Sequence, residues 1–171
     1  MTQGYHGDSR PDWALRVRGL LYAAVFVSLW TWLAGVFRRW DGSLGFSVAP
    51  ILAPGGILLM VAGVVLTATC LGLFLGPGRG TPAPLEPPTV FVARGPYRWV
   101  RNPMYWGAFA IILGAGLWLG SPGITLLSAV FLGVAHLFVT LYEEPALERR
   151  FGATYHAYRD RVRRWLPRIP A

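Results

Sequence analysis

The amino-acid sequence predicts an all-α fold: an integral membrane bundle of four transmembrane helices with a C-terminal amphipathic helix at the membrane interface. Two observations predict this architecture. Of the 171 residues, 54% are hydrophobic, and the mean hydropathy is +0.43. In addition, the chain contains four long runs without a charged side chain. Such runs are typical of helices that are surrounded by lipid hydrocarbon.

The four apolar runs have the length that a membrane-spanning helix needs. They cover residues 19–37, 55–76, 104–120 and 122–142, and the third is the shortest. At about 1.5 Å per residue, each extends roughly 26 to 33 Å, close to the hydrocarbon core of about 30 Å. The first run is longer than the apolar part of a signal peptide and lacks a clear cleavage site, so we expect a transmembrane helix.

These runs divide the chain into two regions. Residues 1–76 carry the first two helices, and residues 77–171 carry a polar loop, a helical hairpin and the C-terminal helix. The second run contains a stripe of small residues, Ala68, Gly72 and Gly76. A stripe of this spacing predicts close approach of a neighbouring helix.

The distribution of arginine predicts the orientation in the membrane. All sixteen basic residues are arginine. Fourteen lie on the side of the N-terminus if the four runs cross the membrane, and only Arg38 and Arg39 lie on the other side. The positive-inside rule then places both termini in the cytoplasm. Because anionic membrane lipids account for the pI near 10.6 and no DNA-binding motif is present, we expect no nucleic-acid partner.

The sequence is organised around residues 94–107, where a basic loop with two prolines turns into the third apolar run. Pro103 suits the first position of a helix and Asn102 the N-cap before it. Arg101 and the free N–H groups of that helix start make the region positive. We therefore expect an anionic group to bind here. The loop before it, residues 77–101, contains six prolines and is expected to form a wall or lid of a site, anchored through Val90, Phe91 and Val92.

The third and fourth runs are joined by a Gly-Ser-Pro-Gly turn at residues 120–123, which predicts a tight helical hairpin. This hairpin returns the chain to the cytoplasmic face beside the basic loop. Most glycines in the third run are expected to serve helix packing. Beside Gly114 and Gly116 we expect space for a ligand.

The fourth run carries polar residues at spacings of three to four, which share one helix face: His136, Thr140, and Glu143 or Glu144. Pro145 should kink or restart the helix. Beyond it, apolar residues at helical spacing between arginines predict an amphipathic surface helix, with Gly152 as the position where it can break. Tyr155 and Tyr158 project towards its apolar side, where they can cover a pocket.

Several kinds of site are excluded by the sequence. The lone Cys70 excludes an intramolecular disulfide and a thiol-pair metal site, and no metal-binding helix motif is present. Neither a dinucleotide fingerprint, a P-loop nor a serine-based triad can be assembled. What remains is a cytoplasmic pocket with a cationic loop, a helix start and two glutamates. This combination suits a zwitterionic ligand.

Three sequence elements together resemble the isoprenylcysteine carboxyl methyltransferases and the related phospholipid methyltransferases. They are the Gly-Pro-Tyr-Arg-Trp-Val-Arg-Asn-Pro-Met-Tyr-Trp-Gly stretch at residues 95–107, the Glu-Glu-Pro-Ala-Leu stretch at 143–147 followed by spaced tyrosines, and the closing Arg-Trp-Leu-Pro at 164–167. The resemblance covers about half of the chain, roughly residues 78–167. Residues 1–77 share only their apolar helices with the family.

The resemblance implies a membrane enzyme that binds S-adenosylmethionine and takes a lipophilic acceptor from the bilayer. The implied cofactor-binding residues are Tyr97, Arg101, Asn102, Pro103, Tyr105, Gly114, Gly116, Glu143 and Glu144. Tyr155, Tyr158 and Arg159 would bind or enclose the substrate, and Arg98, Glu144 and Arg159 would serve catalysis. Many members of the family have histidine where this chain has Asn102, which cannot titrate.

The acceptor stays open at this point. A carboxylate acceptor, such as that of an isoprenylcysteine, needs an arginine to orient it, for which Arg98 and Arg159 are candidates. An amine acceptor, such as that of phosphatidylethanolamine, needs a base, for which Glu144 and Glu148 are candidates. O-methylation of the carboxylate is the first expectation. A nicotinamide-dependent membrane reductase and a non-enzymatic membrane scaffold are the alternatives outside this class.

Overall fold

The computed structural model describes residues 12–75 and 91–167, with side chains from residue 17 onward. These residues form helices α1 (Asp12–Arg38), α2 (Ala53–Leu75), α3 (Pro103–Trp118), α4 (Pro122–Phe138) and α5 (Glu144–Arg161). Within the described ranges no strand occurs, so the all-α prediction is confirmed. Most of the predicted lid falls on residues 76–90 and lies outside the described residues.

Three helical segments are long and apolar enough to cross a membrane: Val17–Arg38, Pro50–Leu75 and Pro122–Arg161. They give the protein its membrane-integral character. The third predicted span, α3, has 16 residues, or about 24 Å at the usual rise. Its crossing of the membrane therefore stays a prediction.

Helices α2 and α3 pack closely through glycines that face each other. A Cβ atom on Gly56 would lie 2.5 Å from Gly114 O, and one on Gly63 would lie 2.5 Å from Gly107 O. Such distances are too short for any side chain, so these glycines let the two backbones meet. The close approach expected at Ala68, Gly72 and Gly76 was wrong at Gly72, where a Cβ would meet nothing within 4 Å. Gly76 lies outside the described residues.

The predicted hairpin between α3 and α4 is confirmed. Gly120 has a positive φ of 64° at the turn, and the Ser121 hydroxyl accepts a hydrogen bond from Ile124 N at 3.2 Å as the N-cap of α4. Asp41, which follows α1, accepts hydrogen bonds from Ser121 Oγ and Gly123 N at 2.8 Å each. This carboxylate ties the start of α4 to the end of α1.

One π-helical turn, Val139–Glu143, joins α4 to α5 directly before Pro145. Pro145 has no N–H to donate to the preceding turn, and the wider π turn accommodates this loss. The helix thus changes at Pro145, as expected, but does not stop there. Further along α5, Gly152 adopts φ 48° and ψ −123°, which breaks the helical path. The π turn and this break set the directions in which the two glutamates and the two tyrosines project.

Candidate functional site

The charged centre of the site is an ion triad formed by Arg101, Glu144 and Arg164. Arg164 donates to both carboxylate oxygens of Glu144, from Nε and Nη2, at 2.8 Å each. Arg101 Nη2 lies 3.2 Å from Glu144 Oε1. The side chains of Arg101 and Glu144 are 10% and 11% exposed, whereas that of Arg164 is 33% exposed. The triad therefore carries one net positive charge in a largely buried position.

Asn102 occupies the N-cap position of α3, but its side chain makes no capping hydrogen bond. Instead, Nδ2 donates to the backbone carbonyl of Arg164 at 3.2 Å. Next to it, the backbone N–H of Arg101 donates to Arg163 O at 2.9 Å. The helix start is thus bound to the C-terminal end of the described chain.

Residues 162–167, which follow α5, form a segment that we call the C-terminal strap. Besides the two contacts above, the strap accepts a hydrogen bond at Trp165 O from Trp106 Nε1 at 2.8 Å. The indole of Trp165 in turn donates to Nδ1 of His136 on α4 at 3.0 Å. Three consecutive carbonyls of the strap are therefore held by the start of α3.

The hydrogen bond to Glu144 raises the pKa of Arg164 above its ordinary value, so its charge is permanent.

The second glutamate, Glu143, has a different partner. Its Oε2 accepts a hydrogen bond from the Tyr105 hydroxyl at 2.8 Å. Tyr105 also lies against Trp165, with ring centroids 6.3 Å apart. Glu143 and Glu144 are adjacent in the chain, yet the Glu144 carboxylate is bound by two arginines and the Glu143 carboxylate by a neutral hydroxyl. The two groups have different chemistry as a result.

The two predicted tyrosines of α5 pack towards this site. Tyr155 is 2% exposed, and its hydroxyl accepts a hydrogen bond from Arg101 Nη1 at 3.3 Å. The Tyr158 hydroxyl donates to the backbone carbonyl of Tyr97 at 2.6 Å. Burial raises the pKa of Tyr97 well above its ordinary value, so this side chain stays neutral. Phe91 packs on both tyrosines, with centroid distances of 6.0 Å and 5.0 Å, which confirms the expected anchor at the end of the loop.

An apolar cavity of about 320 Å³, open to the surface, is lined by residues next to members of the ion triad in the chain. Its lining is apolar throughout and comprises Leu66, Pro96, Trp99, Val100, Pro103, Trp106, Trp165, Leu166 and Pro167. Val100 and Pro103 flank Arg101 and Asn102 in the chain, and Trp165 follows Arg164. The same two segments therefore present charged groups on one side and an apolar wall on the other.

Comparison with known families identifies the class of protein. Residues 53–154 match the family model described as phospholipid methyltransferase. The chain belongs to the phospholipid methyltransferase family. Membership indicates a membrane methyltransferase, and the three long apolar helices agree with it. The chain is also similar to an uncharacterized protein of Haemophilus influenzae, with 40% identity over 63 residues, which are 37% of this chain and all of that protein.

The structure brings together most of the site residues that the sequence suggested for a phospholipid methyltransferase. Arg101 and Glu144 belong to the triad, and Asn102 and Tyr155 are hydrogen-bonded to Arg164 and Arg101 within it. Pro103, Tyr105 and Glu143 lie on the adjoining turns, and the Tyr158 hydroxyl donates to the backbone carbonyl of Tyr97. Within the described residues, no group of three His, Cys, Asp or Glu side chains that could hold a metal ion is found.

Four other suggested residues lie elsewhere. Arg98 is exposed in the short 3-10 helix Gly95–Arg98, and Arg159 is exposed and paired with Glu148. Gly114 packs against Gly56, and a Cβ on Gly116 would lie 2.6 Å from Thr125 Oγ1. Both glycines thus serve helix packing and leave no room for a ligand. We therefore leave Gly114 and Gly116 out of the proposed site.

Sequence reasoning missed Arg164, Trp106 and Trp165 as members of the site. The family model ends at residue 154, so it does not cover the strap either. The available signal was the closing Arg-Trp-Leu-Pro stretch at 164–167, which entered only as part of a resemblance. An arginine and a tryptophan two to three residues before a proline, after a helix that ends at Arg161, indicate a segment that binds back to the bundle.

Proposed function

We propose that this member of the phospholipid methyltransferase family transfers a methyl group from S-adenosylmethionine to a polar group on a membrane lipid. The observation that carries the proposal is the shared wall between the ion triad and the apolar cavity. A methyl transfer of this kind needs a site for a charged donor directly beside a site for an aliphatic chain. The segments 100–106 and 164–167 contribute to both.

The residues present fit the amino-acid end of such a donor, which carries a carboxylate and an ammonium group. Nε of Arg101 is buried and has no hydrogen-bond partner among the described residues. A buried N–H without a partner is costly, and an incoming carboxylate would satisfy it. Glu143 and Glu144 are the nearby carboxylates for the ammonium group. The net positive charge of the triad favours the same arrangement.

S-adenosylmethionine would supply an electrophilic methyl group on a sulfonium centre, so the protein needs no covalent nucleophile. The task of this chain is to orient the two reactants and to exclude water. Orientation alone can lower a barrier by about 7 to 11 kcal/mol. Tyr155 and the strap lie around the triad, and the indoles of Trp106 and Trp165 pack against each other next to it.

Between the two acceptor classes, the geometry favours an amine such as that of phosphatidylethanolamine. An amine must lose a proton, and Glu143 is a carboxylate beside the triad whose partner among the described residues is a neutral hydroxyl. The second candidate is O-methylation of an isoprenylcysteine-type carboxylate. The unpartnered Nε of Arg101 is the observation in its favour. The arginines expected to orient such a carboxylate, Arg98 and Arg159, are exposed.

We further propose that the acceptor enters from the bilayer with its chain in the apolar cavity and that both termini are cytoplasmic. Burial of an aliphatic chain contributes about 0.8 kcal/mol per methylene, so the apolar lining accounts for selection of a lipid. Exposed arginines around the strap and α5 would contact anionic lipid headgroups. They are Arg149, Arg150, Arg161 and Arg163.

The experiment is transfer of labelled methyl from S-adenosylmethionine into a lipid extract by the purified chain, followed by identification of the labelled lipid. A labelled amine headgroup is expected, and Glu143→Gln should reduce its formation at least tenfold. Tyr142→Phe, which alters an exposed neighbour, serves as the control with unchanged activity. A labelled carboxyl ester supports the second candidate. No labelled lipid, or binding of NADPH in place of the methyl donor, contradicts the proposal.

A further inference from the structure

Arg164 and Arg101 share Glu144 but reach it from different surroundings. Arg101 is nearly enclosed, and its hydroxyl partner Tyr155 is buried as well. Arg164 approaches from the more open side and covers both carboxylate oxygens. Because a third of its side chain is already exposed, Arg164 can exchange the carboxylate for water by a short movement, whereas the enclosed Arg101 cannot.

The strap does not depend on the Arg164 side chain for its position. Its three backbone carbonyls are bound by Arg101 N, Asn102 Nδ2 and Trp106 Nε1, and its indole is bound to His136. The guanidinium can therefore leave Glu144 while the backbone of the strap stays in place. In its present position it blocks the carboxylate that would receive a cationic group.

We infer that Arg164 is an internal competitor for the methyl donor: its guanidinium occupies Glu144 in the free protein, and the α-ammonium of the donor replaces it. This inference rests on the proposed function and adds that the donor's affinity is set by an exchange of cations. The exchange leaves Glu144 with two cationic partners, Arg101 and the ammonium. The donor's carboxylate meets the unpartnered Nε of Arg101.

In an exchange of this kind, the apparent affinity for the donor is the intrinsic affinity multiplied by the fraction of molecules in which Glu144 is free of Arg164. Removing the competing charge must therefore strengthen binding. A purely structural role predicts the opposite, because Arg164→Gln would then loosen the site. The two roles differ in the sign of the effect.

The first test is calorimetric titration of the detergent-purified full chain with S-adenosylhomocysteine. We expect Arg164→Gln to bind about fivefold or more tightly than wild type, and Arg161→Gln, an exposed neighbour at the end of α5, to bind like wild type. Equal or weaker binding by Arg164→Gln overturns this inference and leaves the proposed function standing. Absence of binding by both wild type and Arg164→Gln contradicts the proposed function and with it the inference.

A second test uses the wild-type chain and so does not depend on the folding of the glutamine variant. The arginine side chains are labelled with ¹⁵N, and the Nε–H signal of Arg164 is assigned by its loss in Arg164→Lys. Addition of S-adenosylhomocysteine should shift this signal and speed its exchange with water. An unchanged Arg164 signal at concentrations where calorimetry shows saturation overturns the inference.

Discussion

Glu144 accepts two parallel hydrogen bonds from Arg164, a residue twenty positions further along the chain and on the far side of α5. The strap that carries Arg164 lies over the start of α3, where Arg101 and Asn102 bind its backbone. The charged groups of the site are therefore positioned by the last described segment as much as by the membrane helices.

Neutralising Glu144 should destabilise the protein. In Glu144→Gln the enclosed guanidinium of Arg101 loses its countercharge, which should cost about 3 kcal/mol. Thermal unfolding in detergent measures the effect. Glu148→Gln breaks the exposed pair with Arg159 and should cost less than about 1 kcal/mol. Equal melting temperatures for the two variants would show that the triad does not stabilise the fold.

Close packing of α2 on α3 can be tested with two alanine substitutions in one helix. Gly63→Ala places a Cβ 2.5 Å from Gly107 O, so the helices must separate, at a cost of about 1 to 3 kcal/mol. Gly72→Ala meets open space and should be neutral or stabilise α2 by up to about 1 kcal/mol. The comparison uses the detergent-solubilised protein and thermal unfolding. A neutral Gly63→Ala would contradict the packing described here.

The contact between Trp106 and the strap should control how firmly the strap is held. Trp106→Phe keeps the ring packing but removes the N–H that donates to Trp165 O, a loss of about 1 kcal/mol. Hydrogen exchange should then accelerate at Arg101, whose N–H binds the strap, by about fivefold. Trp99→Phe changes an exposed ring and serves as the control. Unchanged exchange in Trp106→Phe argues against a strap held from α3.

The arginine distribution predicts the membrane orientation, which can be tested by cysteine labelling. Ser43→Cys lies in the connection between α1 and α2 and is exposed, so an impermeant thiol reagent should label it from outside intact cells. Arg163→Cys on the strap should react only after the cells are opened. The native Cys70 is buried, so the chain without an added cysteine gives the background level of labelling. Labelling of Arg163→Cys from outside would contradict the cytoplasmic position of the C-terminus.

Much of this fold could be predicted from sequence because the signals are local. Uncharged runs, the Gly-Ser-Pro-Gly turn and the amphipathic tail each depend on neighbouring residues. The pairing of Arg101 with Glu144 followed from the hairpin, which brings the start of α3 and the end of α4 to one side. The face on which α2 meets α3 was not predictable in this way, because small residues lie on more than one face of α2 and spacing alone does not select Gly56 and Gly63.

The parts of the site that sequence reasoning missed depend on long-range contacts. Asn102 has the right chemistry for an N-cap, but its side chain donates from Nδ2 to the carbonyl of Arg164 and makes no capping hydrogen bond. The position of Arg164 follows from the break at Gly152 and the course of a segment without regular structure. No local pattern in the sequence encodes where such a segment returns to the bundle.

The most direct measurement of the central claim is the affinity of the full chain for S-adenosylhomocysteine, by calorimetry in detergent, before and after Arg101→Gln. The account predicts saturable binding by wild type, at least tenfold weaker binding by Arg101→Gln, and unchanged binding by the exposed control Arg161→Gln. Wild-type affinity in Arg101→Gln, or no binding by the wild-type chain, would contradict the claim that the triad is the donor site.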